Sequence, residues 1–256
     1  MVFEVSDEAS GVHAALRICR PGWDTDALER EICWLEALGR DTDLRVPKPI
    51  PTVNGAPFCV VEAEGIPGPR ACVLFTWVDG ARATPEDLTP ARLQRVGRFL
   101  AALHDHAETF RLPARLPVDR FDADALREAD HRVNVSTYFR DRADLVAFDD
   151  AIAATTALMD EIGDDETVAG VIHGDLHQRN YVFDGEAVGA LDFETMRWGY
   201  YLYDLATTLS YLTPEFLRDA DPRPLRAALL DGYAECRGLR EGFEPVSYTH
   251  LTLPTN

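Results

Sequence analysis

The chain has 256 residues, of which 46% are hydrophobic and 27% are charged, a composition typical of a folded globular protein with one or two small domains. Its net charge of −19 is spread along the whole chain and would repel phosphate backbones, which argues against nucleic acid as a partner. No apolar run approaches the ~20 residues that a membrane helix needs, and the N-terminus lacks the layout of a signal peptide, so we expect a cytoplasmic protein with no membrane partner.

The first third of the chain is predicted to form a small sheet with one helix. Strands are predicted at residues 2–5, 13–18, 57–63 and 71–75. The last of these strands is apolar enough to be buried on both faces. Between the second and third strands, apolar residues recur at helical spacing from Asp24, a good helix cap, to Gly39, where the helix is expected to end.

A short link over residues 76–80 leads to a region that is predicted to be mostly helical. Helices are expected near residues 89–103, 144–163, 199–212 and 224–236. Residues 168–194 interrupt this pattern with strands and loops, and Asp184 and Gly185 predict a tight hairpin turn within it.

The residues that carry chemistry are concentrated around that hairpin. Asp175 and Asn180 share one predicted loop, and Asp192 follows the apolar strand VGAL on the far side of the hairpin. Phosphoryl transfer requires a carboxylate that accepts the proton of the attacking hydroxyl, and oxygen ligands that hold magnesium on the nucleotide phosphates. The pattern therefore predicts Asp175 as the catalytic base and Asn180 and Asp192 as the magnesium ligands.

The segment HGDLHQRN, followed by LDFE, resembles the catalytic loop and metal-binding segment of the aminoglycoside phosphotransferase and choline kinase superfamily, which shares its fold with protein kinases. ALRICRPG, EREICWLEAL, VLFTWVDG and GYYLYDLA are similar, in that order, to segments of its bacterial homoserine-kinase-like and stress-response-kinase-like members. The resemblance covers residues 2–236. It implies an α+β, protein-kinase-like fold of two lobes, a small antiparallel sheet lobe and a larger helical lobe.

The same resemblance implies transfer of the γ-phosphate of ATP, with Mg²⁺ as metal cofactor, to a hydroxyl of a small molecule. Amino acids, amino alcohols, aminoglycosides and protein serines all stay open as acceptors, because the acceptor is expected to contact the variable region over residues 103–163. The acidic charge is interpreted first as solubilising, and a cationic acceptor is the alternative. The oligomeric state is not predicted.

Further residues receive roles from the resemblance alone. His173 would shape the catalytic loop, and His177 lies where protein kinases carry a lysine that faces the transferred phosphate. Arg17 takes the place of the family's phosphate-contacting lysine, and Glu31 that of the glutamate that anchors it. The single lysine of the chain, Lys48, lies between two prolines and cannot replace Arg17; its surroundings also exclude a GK[ST] phosphate loop.

The resemblance also assigns a nucleotide hinge and a structural aspartate. The Thr76 carbonyl and the Val78 amide would bind adenine through the main chain. Asp204 lies in an apolar segment, where its charge would be costly unless paired, and the family logic places it beneath the catalytic loop. His104 and His106 are expected only to complement the charge at the end of their helix.

Alternative functions fit parts of the sequence. His173, Asp175 and His177 alternate like metal ligands on a strand, which would suggest a metal-dependent hydrolase, although Gly174 and the polar residues that follow indicate a loop. His177 is equally well explained as a loop histidine packed against the hairpin. A kinase-fold protein that binds nucleotide without catalysis, or a truncated fragment, is the third alternative.

The cysteines and the two ends of the chain carry expectations of their own. Five scattered cysteines without CxxC spacing predict reduced, mostly buried thiols. The predicted domains are residues 1–79 for the sheet lobe, 80–246 for the helical lobe and 247–256 for a non-native tail without periodicity. We expect a first strand and its phosphate-covering loop to be missing before residue 2.

Overall fold

A computed structural model describes residues 1–9, 11–128 and 142–239. The strands of these residues are β1 (Val2–Asp7), β2 (Val12–Ile18), β3 (Pro49–Ile50), β4 (Cys59–Val61), β5 (Arg70–Thr76), β6 (Arg120–Phe121), β7 (Ala169–Ile172), β8 (Tyr181–Asp184), β9 (Ala187–Ala190) and β10 (Arg197–Tyr200). The helices are α1 (Thr25–Asp41), α2 (Pro90–Thr109), α3 (Ala123–Glu128), α4 (Arg142–Ile162), α5 (Tyr201–Ser210) and α6 (Arg223–Ala234). The predicted tail at residues 247–256 lies outside the described residues.

The first five strands form one antiparallel sheet in the order β1, β2, β5, β3, and β4 pairs with β5 next to β3. Ala71, Val73 and Phe75 on β5 are buried, whereas the residues between them are only half-buried. The expectation that this strand is buried on both faces is therefore wrong. Its side chains alternate between the core and a partly solvated outer face, as in most antiparallel sheets.

Helix α1 begins where the sequence predicts, because the Asp24 carboxylate accepts a hydrogen bond from the Asp26 amide at 2.9 Å and so caps the first turn. The helix does not end at Gly39 but continues to Asp41. A Cβ atom at Gly39 would lie 3.3 Å from Cε of Lys48. The glycine thus provides room for the lysine side chain instead of terminating the helix.

The helical part is built around the close crossing of α2 and α6. A Cβ atom at Gly97 would lie 2.1 Å from the Leu229 carbonyl oxygen, and one at Gly232 would lie 2.0 Å from the Gln94 carbonyl oxygen. Only glycine at both positions allows the two backbones to approach this closely. Strands β6, β10 and β7 form a second small sheet beside this crossing.

The hairpin of β8 and β9 joins the two parts of the molecule. It turns at Gly185, with a φ of +57°, as predicted. The Ala190 amide donates to the Arg45 carbonyl at 3.0 Å, and the Ala81 amide donates to the Phe183 carbonyl at 2.9 Å. The hairpin, which follows the predicted catalytic loop, is therefore held both to the segment after α1 and to the segment after the predicted hinge.

The described residues thus form the predicted α+β arrangement, with an antiparallel sheet followed by a helical region. The domain boundaries at residues 79 and 246 stay predictions. Among the described helices, none combines the length and the apolar character needed to cross a membrane.

Candidate active site

The predicted catalytic loop runs from the end of β7 to the start of β8. Local hydrogen bonds shape it: the His177 amide donates to the Asp175 carbonyl at 3.0 Å, and the Asn180 amide donates to the His177 carbonyl at 2.8 Å. Gly174 has a φ of +82°, and a Cβ atom there would lie 2.7 Å from the Thr195 carbonyl oxygen. Glycine is therefore required by the backbone conformation and by the close approach of the segment that follows the hairpin.

The side chains of Asp175 and Asn180 meet within this loop. Nδ2 of Asn180 donates to the backbone carbonyl of Asp175 at 2.9 Å and lies 3.3 Å from Oδ2 of its carboxylate. Because both partners are acceptors, the amide orientation is determined, and Oδ1 of Asn180 remains available as a ligand. The Asp175 side chain is 39% exposed, so its carboxylate is accessible to a substrate.

Asp192 lies beside this loop although it is twelve positions after Asn180. The Leu191 amide donates to the Asn180 carbonyl at 2.7 Å, and Nε2 of His173 donates to the Leu191 carbonyl at 2.9 Å. Asp192 itself has the left-handed conformation, with φ and ψ both 64°. This conformation is uncommon for a residue with a side chain and is often found at functional sites.

Arg17 on β2 and Glu31 on α1 form a buried bidentate ion pair. Nη1 of the arginine donates to Oε1 at 2.9 Å and Nη2 donates to Oε2 at 2.5 Å. Burial raises the pKa of Glu31, and the Arg17 guanidinium opposes that rise. The charges of Asp192 and Glu194 raise this pKa further, so the pair lies within electrostatic range of Asp192, one of the two predicted metal ligands.

Asp204 is fully buried beneath the catalytic loop, as the resemblance implied. Its two oxygens accept the His173 amide at 2.9 Å and the Gly174 amide at 2.7 Å. Burial opposes its ionisation, but the hydrogen bonds from His104 and from the Gly174 amide lower its pKa. The ionised carboxylate thereby fixes the backbone immediately before Asp175.

His104 is the other partner of Asp204, and the expectation that it only complements a helix end is wrong. Its Nε2 lies 3.2 Å from Oδ2 of Asp204 and its Nδ1 lies 3.0 Å from the Tyr233 hydroxyl. Since a carboxylate only accepts, Nε2 carries the proton and Nδ1 accepts from Tyr233. Burial lowers the pKa of His104, so the ring is neutral at neutral pH.

His177 packs against Tyr211, the residue that follows α5. The two rings lie 4.3 Å apart between centroids, and the Arg179 amide donates to Nδ1 of His177 at 3.1 Å. Burial lowers the pKa of His177, so at neutral pH the ring is uncharged and Nε2 carries the proton. That nitrogen lies 3.6 Å from Oδ2 of Asp175.

The predicted hinge follows directly from β5. The Thr76 amide donates to the Lys48 carbonyl at 2.8 Å, and the Trp77 amide donates to the His13 carbonyl at 3.2 Å. Among the described residues, no group accepts a hydrogen bond from the Val78 amide. A Cβ atom at Gly189 would lie 2.7 Å from a methyl group of Val78, so β9 forms the floor beneath the hinge.

The hydrolase alternative finds no support in this geometry. Both ring nitrogens of His173 are engaged, Nε2 with the Leu191 carbonyl and Nδ1 with the Asp175 amide at 3.3 Å. In the described ranges no group of three or more His, Cys, Asp or Glu side chains could hold a metal ion. His173 therefore acts within the loop structure and is not placed as a ligand.

Three residues near the site were missed by the sequence reasoning. His104 could have been found, because it follows Leu100 by one helical turn on the buried face of α2. Glu194 belongs to the segment LDFE and was given no role, although burial and the nearby Asp192 raise its pKa. Tyr211 has no sequence signal, because its contact with His177 depends on tertiary packing.

Comparison with known proteins supports the same conclusion as this geometry. The sequence model of the phosphotransferase enzyme family matches residues 2–240. The chain belongs to this family. The aminoglycoside phosphotransferase and choline kinase superfamily predicted from the HGDLHQRN and LDFE segments is thereby confirmed.

Individual known proteins resemble the chain over most of its length. An uncharacterized protein of Deinococcus radiodurans is 34% identical over 233 residues, which cover 88% of this chain. The chain spans only 64% of the length of that relative.

Among solved structures, amicoumacin kinase hAmiN in complex with AMP-PNP, Ca²⁺ and Ami has a TM-score of 0.78 at 17% identity, covering 98% of this chain and 74% of that chain. A microcompartment-associated aminopropanol kinase has a TM-score of 0.74 at 25% identity, and the match covers 98% of this chain and 77% of the kinase chain. These likenesses confirm the predicted protein-kinase-like α+β fold.

Proposed function

We propose that this chain is an ATP-dependent kinase that moves the γ-phosphate of ATP to a hydroxyl group of a small molecule. The observation that carries the proposal is that Asn180 donates to Asp175 within one loop, while the amide of Leu191, the residue before Asp192, donates to the Asn180 carbonyl. Family membership supports phosphoryl transfer as the reaction. The cytoplasmic location expected from the sequence stays a prediction.

The donor atoms at the site suit Mg²⁺. Oδ1 of Asn180 and the Asp192 carboxylate are oxygen ligands of the kind that this hard cation prefers. Asp175 engages the amide nitrogen of Asn180, which leaves the amide oxygen for the metal. When bound together with ATP, the metal would offset the charge that develops on the phosphate oxygens.

Asp175 would accept the proton of the acceptor hydroxyl. Nδ2 of Asn180 donates to Oδ2 of Asp175, and Nε2 of His177 lies 3.6 Å from the same oxygen. Oδ1 of Asp175 is therefore left for the acceptor hydroxyl. Asp204 fixes the amides of His173 and Gly174 from below, which keeps the loop from shifting as the proton moves. A base held in this way acts on the transition state and contributes little to binding of ATP.

Arg17 would contact the nucleotide phosphates, and the hinge would bind adenine. A guanidinium has five N–H groups, and Glu31 uses two of those of Arg17. The Val78 amide, together with the Thr76 carbonyl, would pair with the adenine edge. Both assignments come from the family resemblance. The ion pair with the buried Glu31 supports the first, because it fixes the guanidinium of Arg17 on the side of α1 that faces Glu194.

For the acceptor we propose an amino alcohol or a related cationic hydroxyl compound. The net charge of −19 attracts a cation, and one solved structure at 25% identity is an aminopropanol kinase. Tyr211 is 42% exposed and contacts His177, which in turn lies next to Asp175. An aromatic face this close to the base is suited to bind a cationic head group.

Nucleotide binding without transfer is the second candidate function. One observation favours it, the arginine at position 17 where the family carries a lysine. The guanidinium presents its charge farther from the strand than an ammonium does, and the two groups are not interchangeable at a phosphate. This candidate predicts ATP affinity without phosphoryl transfer to any acceptor.

The two candidates are separated by comparing Asp175→Asn with Asp192→Ala. For a kinase, Asp175→Asn should reduce transfer from ATP to a panel of amino alcohols by at least ~100-fold while leaving ATP affinity nearly unchanged. Asp192→Ala should abolish Mg²⁺-dependent ATP binding itself. Asp231→Asn, at an exposed position on α6, is the matched control and should change neither. Equal loss of ATP binding in both site variants would contradict the division of roles, and ATP binding without any transfer by the unmodified chain would favour the second candidate.

A further inference from the structure

Cys59 and Cys72 lie directly opposite each other on the antiparallel strands β4 and β5. Opposed side chains of such a pair extend from the same face of the sheet. The Thr76 amide donates to the Lys48 carbonyl across this edge of β5, so the even-numbered residues of β5 direct their backbone groups toward β3 and β4. Cys72 is one of these even-numbered residues, so Cys59 and Cys72 form a hydrogen-bonded opposed pair. The Cα atoms of such a pair lie about 5.5 Å apart. A disulfide spans roughly 4.4–6.8 Å between Cα atoms, so the Cα spacing of the pair lies within that range. The Cβ atoms of an opposed pair lie about 4.5–5.5 Å apart and must approach by about 1 Å to reach the spacing of a disulfide, a shift that the three-residue edge strand β4 can make.

Both cysteines are accessible to solvent. Cys59 is exposed and Cys72 is half-buried on the outer face of the sheet. Strand β4 is three residues long and lies at the edge of the sheet, where hydrogen bonds open most easily. Only Cys19 of the five cysteines is buried, so the expectation of mostly buried thiols is wrong.

The other three cysteines cannot take part in the same pair. The Cys19 amide donates to the Ala71 carbonyl, so Cys19 is opposed to Ala71 and its side chain lies on the other face of the sheet from Cys72. Cys33 lies on α1 and Cys236 follows α6. The juxtaposition is thus specific to Cys59 and Cys72.

We propose that Cys59 and Cys72 form a reversible thiol-oxidation site that closes to a disulfide when the protein meets hydrogen peroxide. The thiolate of Cys59, the more exposed residue, attacks one peroxide oxygen, the O–O bond breaks, and the departing hydroxide takes up a proton to become water. Cys59 is then a sulfenic acid. The sulfur of Cys72 attacks the Cys59 sulfur, the S–S bond forms, and the S–O bond breaks to release a second water with the Cys72 proton. Two thiols are oxidised and one peroxide is reduced to two waters.

The disulfide would join the edge strand to the strand that leads into the hinge. Strand β4 is held to the sheet through three opposed pairs with β5, and β5 ends at Thr76. Oxidation would prevent β4 from separating from β5 and would close a short chain segment covalently. A thiol reductant reverses the step by exchange with the disulfide.

The test is to treat the full chain with a small excess of hydrogen peroxide, quench with catalase, alkylate with N-ethylmaleimide under denaturing conditions and measure the mass. Two of the five thiols should escape alkylation, leaving three, and proteolysis without reductant should release a linked pair of peptides containing Cys59 and Cys72. Dithiothreitol should restore five alkylated thiols.

Cys59→Ser and Cys72→Ser should each abolish the linked peptides, whereas Cys33→Ser and Cys236→Ser should leave them unchanged. The unmodified chain by itself can overturn the proposal, whatever the folding of the variants. Peroxide that converts Cys59 to sulfinic acid while Cys72 remains alkylatable, or that links Cys236 or Cys33 between molecules, would contradict it.

Discussion

Removing the charge of Glu31 should destabilise the protein by about 3–5 kcal/mol, because the Arg17 guanidinium would be left buried and unpaired. The side chains of Arg17 and Glu31 are only 9% and 3% exposed. In Glu31→Gln the side chain keeps its volume but retains one acceptor oxygen in place of two. A lost charge-assisted hydrogen bond accounts for ~1.5–3 kcal/mol, and the uncompensated charge accounts for the remainder. Urea unfolding followed by circular dichroism measures this change as a free energy of unfolding.

The matched control is the double variant Arg17→Met with Glu31→Leu. It replaces the pair by apolar side chains of similar volume and leaves no buried charge, so its free energy of unfolding should lie within about 1–2 kcal/mol of that of the unmodified chain. Its affinity for ATP, measured by isothermal titration calorimetry, should still be lost. Arg17→Lys should keep or improve the affinity, because it restores the group that the family carries.

Two results would refute this reasoning. A loss below ~1 kcal/mol in Glu31→Gln would mean that the pair is solvated and acts like an ordinary surface ion pair. An unchanged ATP affinity in the double variant would mean that Arg17 does not contact the phosphates. The first result would contradict the described burial, and the second would contradict the proposed role.

Three further predictions concern the packing around the site. The free energy of unfolding should fall as the pH drops below about 6.5, because burial lowers the pKa of His104, so the unfolded chain then binds a proton that the folded chain does not. Urea unfolding at a series of pH values measures this, and in His104→Gln the free energy of unfolding should depend less steeply on pH. Gly232→Ala should lower the free energy of unfolding by about 3 kcal/mol, since its Cβ would collide with the Gln94 carbonyl, whereas Gly238→Ala, with open space around it, should change it little. Tyr211→Ala should raise KM for a cationic acceptor more than KM for ATP, and Tyr211→Phe should not; an equal rise in both KM values would argue against contact with the acceptor.

The local arrangement of the catalytic loop could be read from the sequence. Asp175 and Asn180 are five positions apart, and the loop between them is closed by hydrogen bonds among its own residues, so their meeting requires no distant partner. The hairpin turn at Gly185 is equally local, because it depends on a residue that tolerates a positive φ. Spacing alone is informative wherever the contacts are short in sequence.

The boundaries and burial of individual elements were less predictable. Gly39 is a common helix-ending residue, but here Lys48 packs against it and the helix continues. The apolar run in β5 suggested burial on both faces, yet one face remains half-exposed because no further layer covers it in the described structure. Propensity describes what a segment favours, and packing decides which preference is realised.

The sequence by itself determined the family and the fold class, through the resemblance that the HGDLHQRN and LDFE segments carry. It also predicted the residues of the catalytic loop, because that prediction depends on residue types at short, fixed spacings. Only the tertiary structure decided that His104 supports Asp204 from a hundred positions away, that Tyr211 contacts His177, and that Cys59 lies opposite Cys72. A periodic pattern shows which face of a helix or strand is buried, but it does not show which side chain it meets. That partner is determined by strand register and by the crossing of helices, which long-range packing establishes only when the whole chain has folded.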